Sequence, residues 1–330
     1  MNTGTMRTAL VGFAGAIAML GAGCGDVSKG AAASVSPLVV NGVTFDTTGA
    51  RVTANGAKAA VADLKAGMVL TVRGSVDDAA GAGHAMSIEY DREIKGPIDS
   101  IDVAAGSLVV MGRAVLVDAS TVFEHATLET LAAGDLVEVS GTENADGVLV
   151  ATRIERRDGE DNGGGEAEDG FEVEGRVANL DPVAMTFTLG ELTVDYSGAA
   201  LRDLPGGALA DGQAVEVKSA SAPTGGVLVA TTIEGKGDHD DFGPGFGRRA
   251  EIEGFVTRFV SAEDFDVAGQ PVTTTADTVF KHGTVADLVE NARLEVKGSL
   301  DGAGVLVATK VEFDDQGDDG AIGDDHGNDG

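Results

Sequence analysis

The chain repeats itself, and that constrains its fold more than any other feature. Residues 147–155 (GVLVATRIE), 226–234 (GVLVATTIE) and 304–312 (GVLVATKVE) are near copies, with starting glycines 79 and 78 residues apart. Upstream of each lies a second matching block: GDLVEVSG at 134–141, GQAVEVKS at 212–219 and NARLEVKG at 291–298. Each unit opens with a third, KGPIDSID at 95–102, EGRVANLD at 174–181 and EGFVTRFV at 253–260, whose Gly96, Gly175 and Gly254 are 79 apart. A more divergent first copy carries VVNGVTFD at 39–46, GMVLTVRG at 67–74 and GAGHAMSIE at 81–89. A repeat read this way is one supersecondary unit, made four times.

Within a copy the pattern is that of strands. Val137 and Val139 alternate with Glu138, and Leu294 and Val296 with Glu295 and Lys297. Glycines at Gly147, Gly226 and Gly304 sit between the last two apolar runs, where a tight hairpin needs a positive φ. Stretches 128–134, 204–212 and 285–291 read as one helical turn or an irregular crossing between the third and fourth strands. A small sheet with one polar face closes on itself to hide its edges. The expected fold is therefore all-β: tandem five-stranded antiparallel barrels of OB-like type, joined by acidic Gly-rich linkers.

The expected boundaries are a divergent barrel at 37–92 and further barrels at 93–157, 171–235 and 250–313. Residues 24–36 read as a flexible tether, 158–170 and 236–249 as linkers, and 314–330 as a disordered Asp/Gly tail. Because 91–95 leaves almost no spacer, the first two copies should form a rigid pair while the third and fourth swing on their linkers.

The lipoprotein-like start described below, NGVTFDTTGA, GMVLTVRG, GDLVEVSG and ADGVLVATRIE, in that repeated order, together resemble bacterial exported proteins built from the domain of unknown function 5666. The resemblance covers about residues 37–313. It implies tandem small β-barrels in a cell-envelope protein and implies no activity. The third copy departs most, at DYSGAALRDLPGG around Asp195.

Residues 1–23 hold one charge, Arg7, then an apolar run from Ala9 to Leu20 and small residues before Cys24. That run is too short for a permanent span and reads as an export signal. Its end resembles a bacterial lipobox, with Leu20 four residues before the cysteine where three is usual. Cys24 is the only cysteine, so no intramolecular disulfide forms, and a lipidated terminus explains the lone thiol. Gly25 in place of Asp after it favours the outer over the inner membrane. The localisation read from this is an exported, membrane-anchored lipoprotein of the cell envelope, facing the periplasm or beyond.

Composition then removes function classes. Acidic residues outnumber basic ones 54 to 23, for a net charge of −31, which opposes nucleic-acid binding. With 4% aromatic residues and no Trp, there is little on which to stack bases or sugars. Hydrophobic content of 43% is that of folded cores with charge on surfaces and tails. The motifs GxSxG, HExxH and GxxxxGK[ST] are absent from the sequence. No catalytic residue and no cofactor are expected. His125 in TVFEHAT and His282 in TVFKHGT occupy matching places and read as duplicated loop residues, with a metal or pH-sensing role as the alternative. His84, His239 and His326 read as exposed turn residues. Asp315, Asp318, Asp319, Asp325 and Asp329 are candidate ligands for weak Ca2+ binding, in runs resembling DxDxDG that lack the closing Glu of an EF-hand. The first functional expectation is a non-enzymatic, lipid-anchored envelope protein whose barrels act as binding or spacer modules. Its partners are the membrane, through Cys24, and an envelope protein. The alternative is a Ca2+-responsive acidic envelope protein.

Overall fold

The computed structural model describes residues 25–77, 79–157, 170–236 and 248–314. Barrel 1 comprises β1 (Asp26–Val35), β2 (Leu38–Val40), β3 (Val43–Asp46), β4 (Arg51–Ala54), β5 (Ala57–Ala59), β6 (Val69–Asp77) and β7 (Ala82–Tyr90). Barrel 2 comprises β8 (Ile94–Asp102), β9 (Ser107–Val110), β10 (Arg113–Glu124), β11 (Leu136–Glu143) and β12 (Leu149–Arg156). Barrel 3 comprises β13 (Phe171–Arg176), β14 (Ala178–Asp181), β15 (Thr186–Leu189), β16 (Leu192–Asp195), β17 (Ala200–Arg202), β18 (Ala214–Ser219), β19 (Val227–Val229) and β20 (Thr232–Gly235). Barrel 4 comprises β21 (Arg249–Ser261), β22 (Asp264–Val267), β23 (Gln270–Thr273), β24 (Val279–Lys281), β25 (Arg293–Leu300) and β26 (Leu306–Phe313). Short 3-10 turns at Val61–Asp63, Pro205–Gly207 and Val285–Asp287 cross between the third and fourth strands.

Barrel 2 shows the plan. β8, β9 and β10 form an antiparallel meander, β10 lies parallel to β12, β12 pairs antiparallel with β11, and β11 returns to β8. First, second, third, fifth and fourth strands thus close on the first, the OB-type Greek-key order. Barrels 1 and 4 close the same way, each with its third strand in two pieces, β3 with β4 and β23 with β24. The repeated glycine of the first strand belongs to this closure. A Cβ on Gly96 would lie 1.9 Å from Met111 Sδ, and one on Gly254 would lie 2.8 Å from Ala268 Cβ. In both barrels the glycine makes room for the turn between the second and third strands.

Two expectations are corrected. Residues 26–35 are not a tether but the first strand of barrel 1, paired with β2, β6 and, in parallel, β21. Its Val27 and Ala32 are buried, although DVSKGAAASV has little β-branched character to announce a strand. Nor do barrels 3 and 4 swing free. β13 pairs with β8, so that barrels 2 and 3 share one continuous apolar cluster that includes Ile94, Val139, Val173 and Val217. Val27 of barrel 1 packs into the cluster of barrel 4, beside Ala250 and Ile252. Barrel 2 sits in the middle, and burial records it. β25 of barrel 4 alternates strictly between buried and half-buried, whereas β11 is buried on both faces from Val137 to Gly141.

Candidate functional site

The joint between barrels 1 and 2, residues 90–95, runs through the centre of the molecule. Tyr90 Oη lies 2.9 Å from Ser140 Oγ, and the Arg92 backbone N–H donates to Asn55 Oδ1 at 3.0 Å, so the joint is held from both sides. The Arg92 side chain, 2% exposed, donates through Nε to Glu172 Oε2 at 3.1 Å and through Nη1 to Glu138 Oε1 at 3.0 Å. One guanidinium therefore ties barrel 2 to barrel 3. Lys236, at the end of barrel 3, completes a second clamp: its Nζ is 2.8 Å from both Glu174 and Glu216 and 3.6 Å from Asp91.

Beside the Lys236 clamp lies a cavity of about 470 Å³ lined by residues of all four barrels. Eight acidic and five basic side chains line it, and no aromatic, histidine or cysteine side chain does among the described residues. Glu93 is its most distinctive wall. The Glu93 backbone is fixed, N–H to Val139 O at 3.0 Å and C=O receiving Glu174 N–H at 2.8 Å. Burial pushes that carboxyl up to about 7, Lys29 partly offsetting the effect and Glu143 adding to it. Glu174 is held well above the usual carboxylate range by burial and by Glu93. Glu172 rises to about 7 because burial outweighs the attraction of Arg92. Burial also pushes Glu216 up, but Lys236 and Lys218 outweigh it and leave Glu216 below its ordinary value. Burial alone would lower Lys236, but Glu174, Asp91 and Glu216 raise it.

The histidines stand apart from this site. His125 and His282 are about half exposed and belong to different barrels. They occupy a left-handed backbone position, φ 59° and 53°, that Asp203 fills in barrel 3 with φ 49°. Asn, Asp and His are the non-glycine residues that most readily adopt it, which accounts for the recurrence without a ligand. His84 lies 3.5 Å from the Asp46 carboxylate at an exposed edge. Cys24, His239, His326 and the candidate Ca2+ ligands Asp315, Asp318, Asp319, Asp325 and Asp329 lie outside the described residues. Among the described residues no group of three or more His, Cys, Asp or Glu is placed to hold a metal ion.

Sequence reasoning missed Arg92, Glu93 and Lys236. The one available signal was an acid recurring three residues before the first-strand glycine, at Glu93, Glu172 and Glu251. All three flank apolar core positions, and burial raises each to about 7.

The profile of the family described as a domain of unknown function, DUF5666, matches residues 25–89, 95–155, 174–234 and 253–312, and the chain belongs to that family. The first match begins at 25, in agreement with β1 as a strand of barrel 1. No curated protein matches this chain. Among solved structures, a chain described as "drosophila Unr CSD456" is similar at 15% identity, over 68% of this chain and 97% of that one, with a TM-score of 0.17. The OB-type assignment rests on the strand order rather than on that likeness.

Proposed function

We propose that this protein is a non-enzymatic, lipid-anchored component of the cell envelope whose four docked barrels act as a binding or spacer block. The observation that carries the reading is the sole cysteine, Cys24, placed at the end of an apolar export-type run. What the fold adds is distance: β1 starts at Asp26, one residue beyond Gly25. Acyl chains on Cys24 would hold barrel 1 directly against the bilayer, with no tether to lift it away. Among the described residues no helix is long and apolar enough to cross a membrane.

Mass spectrometry of the mature N-terminus from native membranes tests the anchor. The expected species is acylated Cys24, sensitive to globomycin and lost in Cys24→Ala. An unmodified terminus elsewhere would end the reading. The second reading, a Ca2+-responsive acidic tail, draws on Asp315, Asp318, Asp319, Asp325 and Asp329. Calorimetry with Ca2+ on the full chain and on one ending at Phe313 should then differ, and identical flat traces would dismiss it.

A further inference from the structure

We propose that this protein associates with a second copy of itself, the crossing turn of barrel 2 in one copy docking on the third and fifth strands of barrel 4 in the other. The inference rests on the binding half of the reading above, for which it names a partner, and is independent of the lipid.

The template lies inside the chain. The turn that ends the crossing of barrel 1, Leu64 to Gly67, sits on barrel 2 where β10 and β12 run parallel. Thr152 Oγ1 donates to Gly67 O at 2.6 Å, and a Cβ on Gly67 would lie 2.5 Å from Thr152 O and 3.2 Å from Val122 Cβ. Gly67 and Thr152 are both buried. Only a glycine, here at φ 82°, allows so close an approach.

Both halves of this contact recur, exposed, elsewhere. Barrel 2 repeats the turn: Leu131-Ala132-Ala133-Gly134 matches Leu64-Lys65-Ala66-Gly67, and both leucines are buried. Gly134 has φ 91°, and its N–H bonds Ile98 O at 2.8 Å as that of Gly67 bonds Ala32 O. Yet Ala132, Ala133 and Gly134 are exposed, and a Cβ on Gly134 would meet nothing within 4 Å. Barrel 4 repeats the seat. Val279 pairs with Lys310 as Val122 does with Arg153, and Thr278 Oγ1 donates to Ala308 O at 2.7 Å as Thr121 Oγ1 does to Ala151 O. There Val279 and Thr309, the counterparts of Val122 and Thr152, are exposed, and the Thr309 hydroxyl turns back to Lys297 O at 3.1 Å. The other two turns are engaged within the chain: Asn291 of barrel 4 holds the Ala145 N–H and the Asp146 carboxylate of barrel 2, and Gly212 O of barrel 3 receives Arg176 Nη1. Charge fits as well. Lys65 attracts Glu124 in the internal contact, and their counterparts, Ala132 and Lys281, bring no like charges together. Because the free turn and the free seat are both exposed in one chain, they meet between two copies.

The test is sedimentation equilibrium of residues 24–330, which carry all four barrels, with Cys24→Ala to exclude disulfide dimers. The contact is small and the chain strongly acidic, so association is weak at about 50 mM NaCl and strengthens towards about 500 mM as repulsion is screened. Ala133→Asp in the turn and Val279→Asp in the seat should each weaken it by about tenfold or more. Val260→Asp, the same charge change at an exposed valine elsewhere on barrel 4, should leave it within about twofold. Mixing separates docking from misfolding. Ala133→Asp keeps the seat and Val279→Asp keeps the turn, so an equimolar mixture should form a heterodimer although neither variant associates alone. Thr309→Val should weaken association and Thr309→Ser preserve it. The proposal is overturned by a chain still monomeric at about 0.5 mM in high salt, by equal effects of the three Asp variants, or by a mixture no more associated than its parts. Each of these failures leaves the anchoring at Cys24, read separately by mass spectrometry, untouched.

Discussion

Barrels 2 and 3 share a strand order, an apolar core and a charge clamp, yet the last hairpin stays paired to its tip in one and splits in the other. In barrel 2, β11 and β12 stay paired from Val137↔Arg156 to Glu143↔Leu149, across a bulge between Ser140 and Gly141. In barrel 3 the corresponding pairing of β18 with β20 ends at Lys218↔Thr232, and the rest of the fifth strand, β19, leaves with β16 in a separate four-stranded sheet. The difference coincides with one side chain. A Cβ on Gly141 would sit 2.3 Å from Val150 O, and at the same bulge Gly74 and Gly298 come as close to His84 O and Val307 O, 2.0 and 2.1 Å. Barrel 3 has Ser219 there, and its Oγ donates to Val229 O at 2.8 Å in place of a ladder bond. Pairing of the hairpin tip in this repeat depends on a missing side chain, and barrel 3 keeps its core because Val217, Leu228 and Ile233 pack into the cluster shared with barrel 2.

The severest break of that partnership is Arg92→Ala. It strands Glu138 and Glu172 in a buried junction, one carboxylate in each barrel, and removing one partner of a buried ion pair costs about 3–5 kcal/mol. Urea unfolding should show barrels 2 and 3 destabilised together. A loss below about 1 kcal/mol would mean that the guanidinium does not couple them. Gly141→Val comes next and acts on barrel 2 alone. Its side chain must displace the Val150 carbonyl, at a cost of about 3 kcal/mol. Amides of 149–151 should then exchange as those of β19 do, and unchanged protection would refute the role given to the bulge glycine.

These residues also mark where sequence reading ran out. The strands and the last hairpin were legible because they depend on local chemistry: Gly147, Gly226 and Gly304 take φ of 73°, 77° and 86° at the expected turns. β1 was not, since Ala31, Ala32 and Ala33 beside Lys29 and Gly30 show no strand periodicity and the segment is a strand only through its partners. The docking was hidden for a different reason. Glu138 alternates with Val137 and Val139 as a solvent-facing acid would, and only the arrival of Arg92 from the preceding joint makes that face interior. The divergence of the third copy, by contrast, was visible, though the Ser219 that accompanies its split hairpin lies well downstream of the stretch around Asp195.

The pH dependence should be smaller than either substitution. Glu172 in barrel 3 and Glu93 in barrel 2 are raised to about 7 from an ordinary 4.5, so the native state holds their protons more tightly than the unfolded chain. The stability linked to them is fully present below about 4.5 and is lost as pH rises through 7. Glu216, shifted downward, acts in the opposite sense: its contribution is present above its ordinary value and is lost as pH falls below it. The net expectation is a chain more stable at pH 5.5 than at pH 8, by on the order of 2 kcal/mol. Because acidification also relieves general repulsion in so acidic a chain, the informative quantity is the change in slope. Glu172→Gln should flatten the profile, and an unaltered slope would place the effect elsewhere.

The gentlest test is Ser219→Gly in barrel 3. It removes the side chain at the bulge and the hydrogen bonds from Ser219 Oγ to Val229 O and Ser221 O, and it adds the backbone entropy of a glycine. Renewed pairing of β18 with β19 would offset those losses, so global stability should move by less than about 1 kcal/mol. The local consequence is sharper. The Val229 amide should exchange more slowly, approaching the behaviour of Val150 in barrel 2. If it does not, the hairpin loop 220–226 is what keeps β19 from β18: it is one residue longer than its counterpart in barrel 2, and its Pro223 has no N–H to give to a ladder. The comparison of the two barrels would then turn on loop length rather than on one Cβ, and Gly141→Ser in barrel 2 should leave its hairpin paired to the tip.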